Sequence, residues 1–154
     1  MKNNLSGFTL VELMVTIAII GILSSIVLFS VTQYINKSKD TNVIGNLAVL
    51  VSSGEIYYNS NQNVNGTGYV GFCDSSVVEN AFSQMPVNKD GTCYGVDGIA
   101  NSNEASLCCS ANEDAWAACT SLFADSTKAY CVDSRGIKKQ INRAYCISSL
   151  TQCP

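Results

Sequence analysis

The feature that most constrains this chain is a run of 24 residues, Leu13 to Asn36 (LMVTIAIIGILSSIVLFSVTQYIN), without a single charged side chain. As an α-helix rising 1.5 Å per residue it would be about 36 Å long, enough to cross a hydrocarbon core of about 30 Å with some tilt. The 118 residues that follow, Lys37 to Pro154, suffice for one small domain and not two. An anchor followed by one domain is therefore expected. Lys2 precedes the run, and Lys37 and Lys39 follow it before the chain turns acidic, so flanking charge alone leaves the orientation open.

The cysteines break that tie. Cys73, Cys93, Cys108, Cys109, Cys119, Cys131, Cys146 and Cys153 all lie in the second part of the chain. An even number packed so closely predicts a disulfide framework in an oxidising compartment, outside the cytoplasm. A zinc site is the competing reading, but the chain has no C-x-x-C and no His, the usual elements of structural zinc sites. The missing C-x-x-C also argues against a thiol-redox enzyme. Connectivity stays open, except that adjacent Cys108 and Cys109 should take different partners. Without His the chain lacks the commonest general base, and no nucleophile–base constellation replaces it, so no catalytic residue, metal or cofactor is expected. A formal net charge of −3 argues against a general nucleic-acid binder.

Two ordinary explanations of the apolar run fall short. A cleaved secretory signal has an apolar core of about 7–15 residues and a small-x-small site after it. Here the run is longer and no A-x-A follows. A plain signal anchor accounts for length and orientation but not for Glu12, a carboxylate at the start of the span. Such a group costs about 2.5–3.5 kcal/mol at full depth and calls for a cationic partner. Within Phe8–Asn36 the one cation available would be a new α-amine, formed if the chain were cut just upstream.

MKNNLSG followed by FTLVELMVTIAIIGIL resembles the class III leader and N-terminal helix of type IV pilins and pseudopilins. The resemblance covers Met1 to about Tyr58 and is strongest over Gly7–Leu23. It implies a leader (residues 1–7), a transmembrane and filament-core helix (8–36) and an extracytoplasmic pilin-like domain (37–154). It further implies cleavage between Gly7 and Phe8 by a prepilin peptidase, N-methylation of Phe8, and pairing of Glu12 with the Phe amine of a neighbouring subunit. Physically, an unpaired carboxylate and an unpaired ammonium are both costly in apolar surroundings, and pairing across subunits offsets both. The implied product is a filament subunit that assembles with copies of itself and with assembly machinery. It would be a single-pass inner-membrane protein before assembly and part of an extracellular pilus afterwards. Phe29 stands where many members have Pro, so a more continuous helix is expected, with any softening near Gly21 and Ser24-Ser25.

The helix should continue beyond the span. Ile44, Leu47, Val51, Gly54 and Tyr58 form an apolar stripe, and the polar stretch 59–68 should end it. Ser76-Val77-Val78-Glu79 fits a capping box opening a short helix before Pro86. Asn88–Gly91 reads as a turn. Ala115–Phe123 and Lys128–Asp133 read as two strands, with Cys119 opposite Cys131 if their loop is Ala124–Ser126. A Cys119–Cys131 bridge and a short Cys146–Cys153 loop are the pairings considered. Asp133–Gly136 reads as a further turn. The expected class is α+β: a long N-terminal helix packed on a small antiparallel sheet in a disulfide-stapled head.

Other signals are weaker. Gly66-x-Gly68-x-x-Gly71 has the letters of a dinucleotide fingerprint but follows a polar loop, not a strand. Asn88-x-Asp90-x-Thr92 begins like an EF-hand and then fails at Cys93 and Ile99; a looser calcium site could draw on Asp90, Asp97 and Asp133. Residues 40–127 hold ten acidic groups and one basic group, whereas 128–154 hold Lys128, Arg135, Lys138, Lys139 and Arg143 against Asp133. That asymmetry suits a solvated face, complementarity between stacked subunits, or a DNA contact that reads no sequence. The functional readings are thus a structural filament subunit (major pilin, minor pilin or secretion pseudopilin) or, alternatively, a membrane-anchored, disulfide-rich binding module.

Overall fold

The computed structural model describes residues 7–64, 67–86, 92–94, 107–147 and 149–154. They form α1 (Leu10–Val64), a 3₁₀ turn (Phe72–Asp74), α2 (Ser76–Ser83), β1 (Thr92–Tyr94), β2 (Leu107–Ala111), β3 (Trp116–Ser121), β4 (Lys128–Asp133), β5 (Lys138–Asn142) and a second 3₁₀ turn (Arg143–Tyr145). Two compact units result, one ending at Ile35 and one spanning Asn36–Pro154.

In the first unit α1 runs unbroken through Gly21 and Ser24-Ser25. Its Ser and Thr hydroxyls do not interrupt it, because Thr16, Ser25, Ser30 and Thr32 donate to carbonyls three or four residues back. Leu10, Val11, Leu13, Val15 and Ile19, spread around the helix, are all exposed.

In the second unit α1 and α2 pack on one five-stranded sheet of order β1-β2-β3-β4-β5. The pairs from β2 to β5 are antiparallel, while the edge strand β1 pairs with β2 in parallel. The inward face of α1 is Asp40, Val43, Leu47, Leu50 and Gly54. Leu47 and Gly54 lie on the expected stripe. Val51 and Tyr58 pack only at the border of the core, and Ile44 is half-buried. The stripe is rotated because the charged Asp40 takes an inward position. Its carboxylate accepts hydrogen bonds from the main-chain N–H groups of Phe123 (2.6 Å) and Ala124 (3.1 Å), fixing the β3–β4 loop. Lys39 stacks over the Phe123 ring at 5.0 Å.

Two boundaries move. The helix continues to Val64, beyond the expected stop, because Asn59 and Ser60 turn their polar groups onto the helix's own carbonyls of Glu55 and Tyr57. The second helix is capped by Ser75, one residue before the proposed box, and Ser75 makes no side-chain cap hydrogen bond. The Asn88–Gly91 turn lies outside the described residues.

The β3–β4 register places Cys119 opposite Cys131, as the loop length predicts. The bridges nonetheless go elsewhere: Cys73–Cys109, Cys119–Cys146 and Cys131–Cys153. Neither the Cys119–Cys131 bridge nor the Cys146–Cys153 loop forms. Successive strand side chains point to opposite faces, and the tail returns over one of those faces. Cys109 joins the cluster on the helix side, whereas Cys108, Cys119 and Cys131 lie on the other face with Cys146 and Cys153 of the tail. Cys119 and Cys131 thus emerge side by side beneath the tail, and each bonds to it. Cys108 is disulfide-bonded too, separately from Cys109.

Candidate functional site

The N-terminal segment begins with Gly7 and Phe8 outside the helix, both exposed. Thr9 is the helix's capping residue. Its main-chain N–H and its hydroxyl both donate to Glu12 Oε2, at 2.9 and 2.7 Å, and Glu12 N–H donates back to Thr9 Oγ1 at 3.3 Å. This reciprocal pattern is a capping box, with the carboxylate favoured at the positive end of the helix dipole. Thr9-Leu10-Val11-Glu12 carries the sequence signal for it, a local partner for Glu12 beside the cationic one. Glu12 is therefore not an orphan in the uncut chain. It has a local hydrogen-bond partner three residues away and is fully exposed to any outside one.

From Leu10 the helix presents apolar side chains in every direction, and the stretch is long and apolar enough to cross a membrane. Exposed apolar surface on this scale marks a membrane or protein contact. The segment therefore combines an exposed Gly-Phe junction outside the helix, a carboxylate at the helix start and an exposed apolar cylinder. It offers an apolar contact surface and, among the described residues, no catalytic constellation.

The head is organised by a second carboxylate. Asp133 is fully buried, and its oxygens accept from Arg135 N–H (3.0 Å), Arg135 Nε (3.0 Å), Arg135 Nη2, Ile137 N–H (3.2 Å) and Cys153 N–H (3.0 Å). Arg135 Nη2 also donates to the Cys153 carbonyl at 2.9 Å. Burial alone pushes the Asp133 carboxyl up, but these hydrogen bonds and the adjacent guanidinium outweigh it and hold the carboxyl below its usual range. Asp133 read from sequence as a turn residue; it also clamps the C-terminal tail beside the Cys131–Cys153 bridge. With both oxygens filled by N–H donors, it does not suit a calcium ion. Asp90 and Asp97 lie outside the described residues. The sulfurs of Cys108, Cys119 and Cys146 lie within 4.8 Å of one another, yet all three are disulfide-bonded and offer no thiolate to a metal.

Gly66 lies outside the described residues; Gly68 and Gly71, both with positive φ, sit in turns between α1 and a 3₁₀ element and not between a strand and a helix, so among the described residues they build no phosphate cradle. Tyr69, between them, donates its hydroxyl to Glu55 Oε1 at 3.1 Å and its N–H to the Glu113 carbonyl. Burial, and then the Glu55 hydrogen bond and charge, push the Tyr69 phenol up to about 12. Tyr57 and Tyr58 lie in ring contacts with Phe72 and Tyr69, half-buried at the border of the core.

Comparison with known proteins points the same way. Residues 2–28 match the family model of the prokaryotic N-terminal methylation motif. The chain is 56% identical over 46 residues to Fimbrial protein Q and to the type IV major alpha-pilin of Moraxella bovis, a match covering 30% of this chain and only 29% of each relative. It is 30% identical over 111 residues to a fimbrial protein of Pseudomonas aeruginosa, covering 66% of this chain and 72% of that one. No solved structure matches. The last alignment extends well past the N-terminal helix into the head, and with the methylation motif it establishes that the chain belongs to the type IV pilin family.

Proposed function

We propose that this pilin is a structural subunit of a type IV pilus filament, matured by removal of residues 1–7 and N-methylation of Phe8. The observation that carries the reading is one array: Gly7-Phe8 free of the helix, Glu12 at its first turn, and an exposed apolar cylinder behind them. Cleavage leaves the Phe8 amine as the missing cation. In a packed filament a neighbour's amine could replace Thr9 as the partner of Glu12, and one such charge pair sets axial register. The cylinder then serves two environments, the bilayer before assembly and the filament interior afterwards. A heterologous contact that does not close generates an open filament. A prepilin peptidase, a membrane-embedded assembly machine and further copies of the chain are the partners this route requires. The inner membrane and then the extracellular filament are its locations, and the role is structural, not enzymatic.

The test is intact mass of the membrane-extracted chain after co-expression with a prepilin peptidase, with and without reduction. Loss of residues 1–7, gain of one methyl, and eight further hydrogens on reduction of the eight cysteines are expected. An uncut N-terminus would overturn the reading and leave a membrane-anchored binding module.

A further inference from the structure

The two halves of the head carry opposite charge, and among the described residues Lys128 and Asp125, 3.8 Å apart, are the one ion pair that joins them. β5 is an edge strand. Asp133 N–H donates to Ile137 O, and Arg143 N–H to Thr127 O. By the alternation of an antiparallel ladder, the main-chain groups of Lys138 and Gln140 therefore point outward, away from β4. Lys138, Lys139 and Gln140 are exposed, and among the described residues Lys138, Lys139 and Arg143 have no acidic partner. A groove of about 270 Å³ lined by Thr127, Lys128, Gln140, Ile141 and Asn142 runs beside them. Arg135 does not belong to this surface, being committed to Asp133.

The acidic counterpart lies two strands away, in the β2–β3 turn. Glu113 and Asp114 are exposed there, and Tyr69 draws Glu55 to the same place by bonding Glu55 with its hydroxyl and the Glu113 carbonyl with its N–H. No basic residue is paired with these carboxylates among the described residues. Gly68 keeps the arrangement tight: a Cβ there would lie 1.9 Å from the Glu113 carbonyl oxygen.

We propose that the cationic β5 edge of one copy (Lys138, Lys139, Arg143) docks on the acidic β2–β3 turn (Glu113, Asp114, with Glu55) of a second copy. The contact is heterologous, so each copy offers both surfaces and each docked copy leaves one of each kind for the next, as a filament requires. An edge strand bearing lysines resists indiscriminate strand pairing; an acidic partner neutralises those lysines and opens the edge to one specific neighbour. This inference rests on the filament reading and adds the head-to-head contact to it.

The experiment uses the full chain, co-expressed with peptidase and assembly machinery, and measures sheared filament yield. Intact mass confirms processing and disulfides for every variant. Lys138→Glu/Lys139→Glu and Glu113→Lys/Asp114→Lys should each lower the yield about tenfold or more, and combining all four substitutions in one chain should restore it. In wild-type filaments, carbodiimide should link Lys138 or Lys139 of one copy to Glu113 or Asp114 of another. Wild-type yield from Lys138→Glu/Lys139→Glu, or a combined variant no better than either pair, would overturn the docking. So would normal filaments whose one defect is loss of retention on duplex DNA, since that assigns the edge to nucleic acid. The filament reading fails separately, if the wild-type chain gives no filaments or Glu12→Ala leaves the yield unchanged.

Discussion

Gly54 of α1 lies directly against Trp116 of β3. A Cβ on Gly54 would sit 2.5 Å from the indole Nε1, 2.8 Å from Cε2 and 2.9 Å from Cζ2. Trp116 is fully buried and stacks at a tilt on Phe72, with ring centroids 4.7 Å apart. The helix thus approaches the sheet closely enough only because position 54 lacks a side chain. A glycine that lowers helix propensity by about 1 kcal/mol is retained for packing.

It follows that Gly54→Ala, favourable in an exposed helix, is unfavourable here. Neither the rigid indole nor the backbone can yield easily, so overpacking should cost about 1–3 kcal/mol. Urea denaturation with the disulfides intact, followed by Trp116 fluorescence, measures it. A rise in midpoint relative to wild type would contradict the contact.

The Asp133 clamp predicts an acid-sensitive tail. The carboxyl is held below its ordinary value of 3.8 in the folded chain, so the unfolded state binds its proton first as pH falls. The stability it contributes is complete at neutral pH, begins to fade near that ordinary value, and is lost as pH drops through the folded value. Asp133→Ala leaves the Ile137 and Cys153 amides without this acceptor and should cost roughly 1–3 kcal/mol at pH 7. The difference between wild type and variant should shrink as pH falls below 3.8. A difference that stays constant with pH would show that the clamp does not act through its charge.

Much of this arrangement is legible in the sequence because single local rules decide it. The uncharged run, the β3 and β4 strands and their register follow from hydropathy and loop length, and Cys108 and Cys109 diverge by the alternation of a strand. β5 escapes such reading: Lys138-Lys139-Gln140-Ile141-Asn142 buries only Ile141, so an exposed edge strand leaves almost no hydrophobic period. The bridges escape it because strand register brings Cys119 and Cys131 together, whereas the return of the tail over the outer face decides their partners. Asp40 and Asp133 escape it because a buried carboxylate looks like any surface one until the amides that surround it are known.

Tyr69 predicts the opposite pH limit. Its phenol is pushed to about 12, above its ordinary value of 10.0, by burial first and by Glu55 second. A raised value in the folded state means stability fully present below the ordinary value and lost as pH rises through the folded one. Ultraviolet titration of the folded head should show a phenolate phase at about 12, and Tyr69→Phe should remove that late phase. Glu55→Gln should move the phase to lower pH without abolishing it, because burial, the larger cause, remains.

Thr9 and Glu12 predict a separation between folding of the helix start and assembly of the filament. Thr9→Ala removes the hydroxyl that both donates to Glu12 Oε2 and accepts from Glu12 N–H, while leaving the carboxylate in place. Loss of such a cap costs about 0.5–2 kcal/mol, so amide hydrogen exchange over residues 10–13 in micelles should quicken by about 2- to 30-fold. Glu12→Ala breaks the same box and should quicken exchange comparably. The two variants then part company: Thr9→Ala keeps the charge that the Phe8 amine of a neighbour requires and should still yield filaments, whereas Glu12→Ala should be processed at Gly7-Phe8 and yield few. Equal filament loss in both would mean that the capped helix start, not the charge, is what assembly needs.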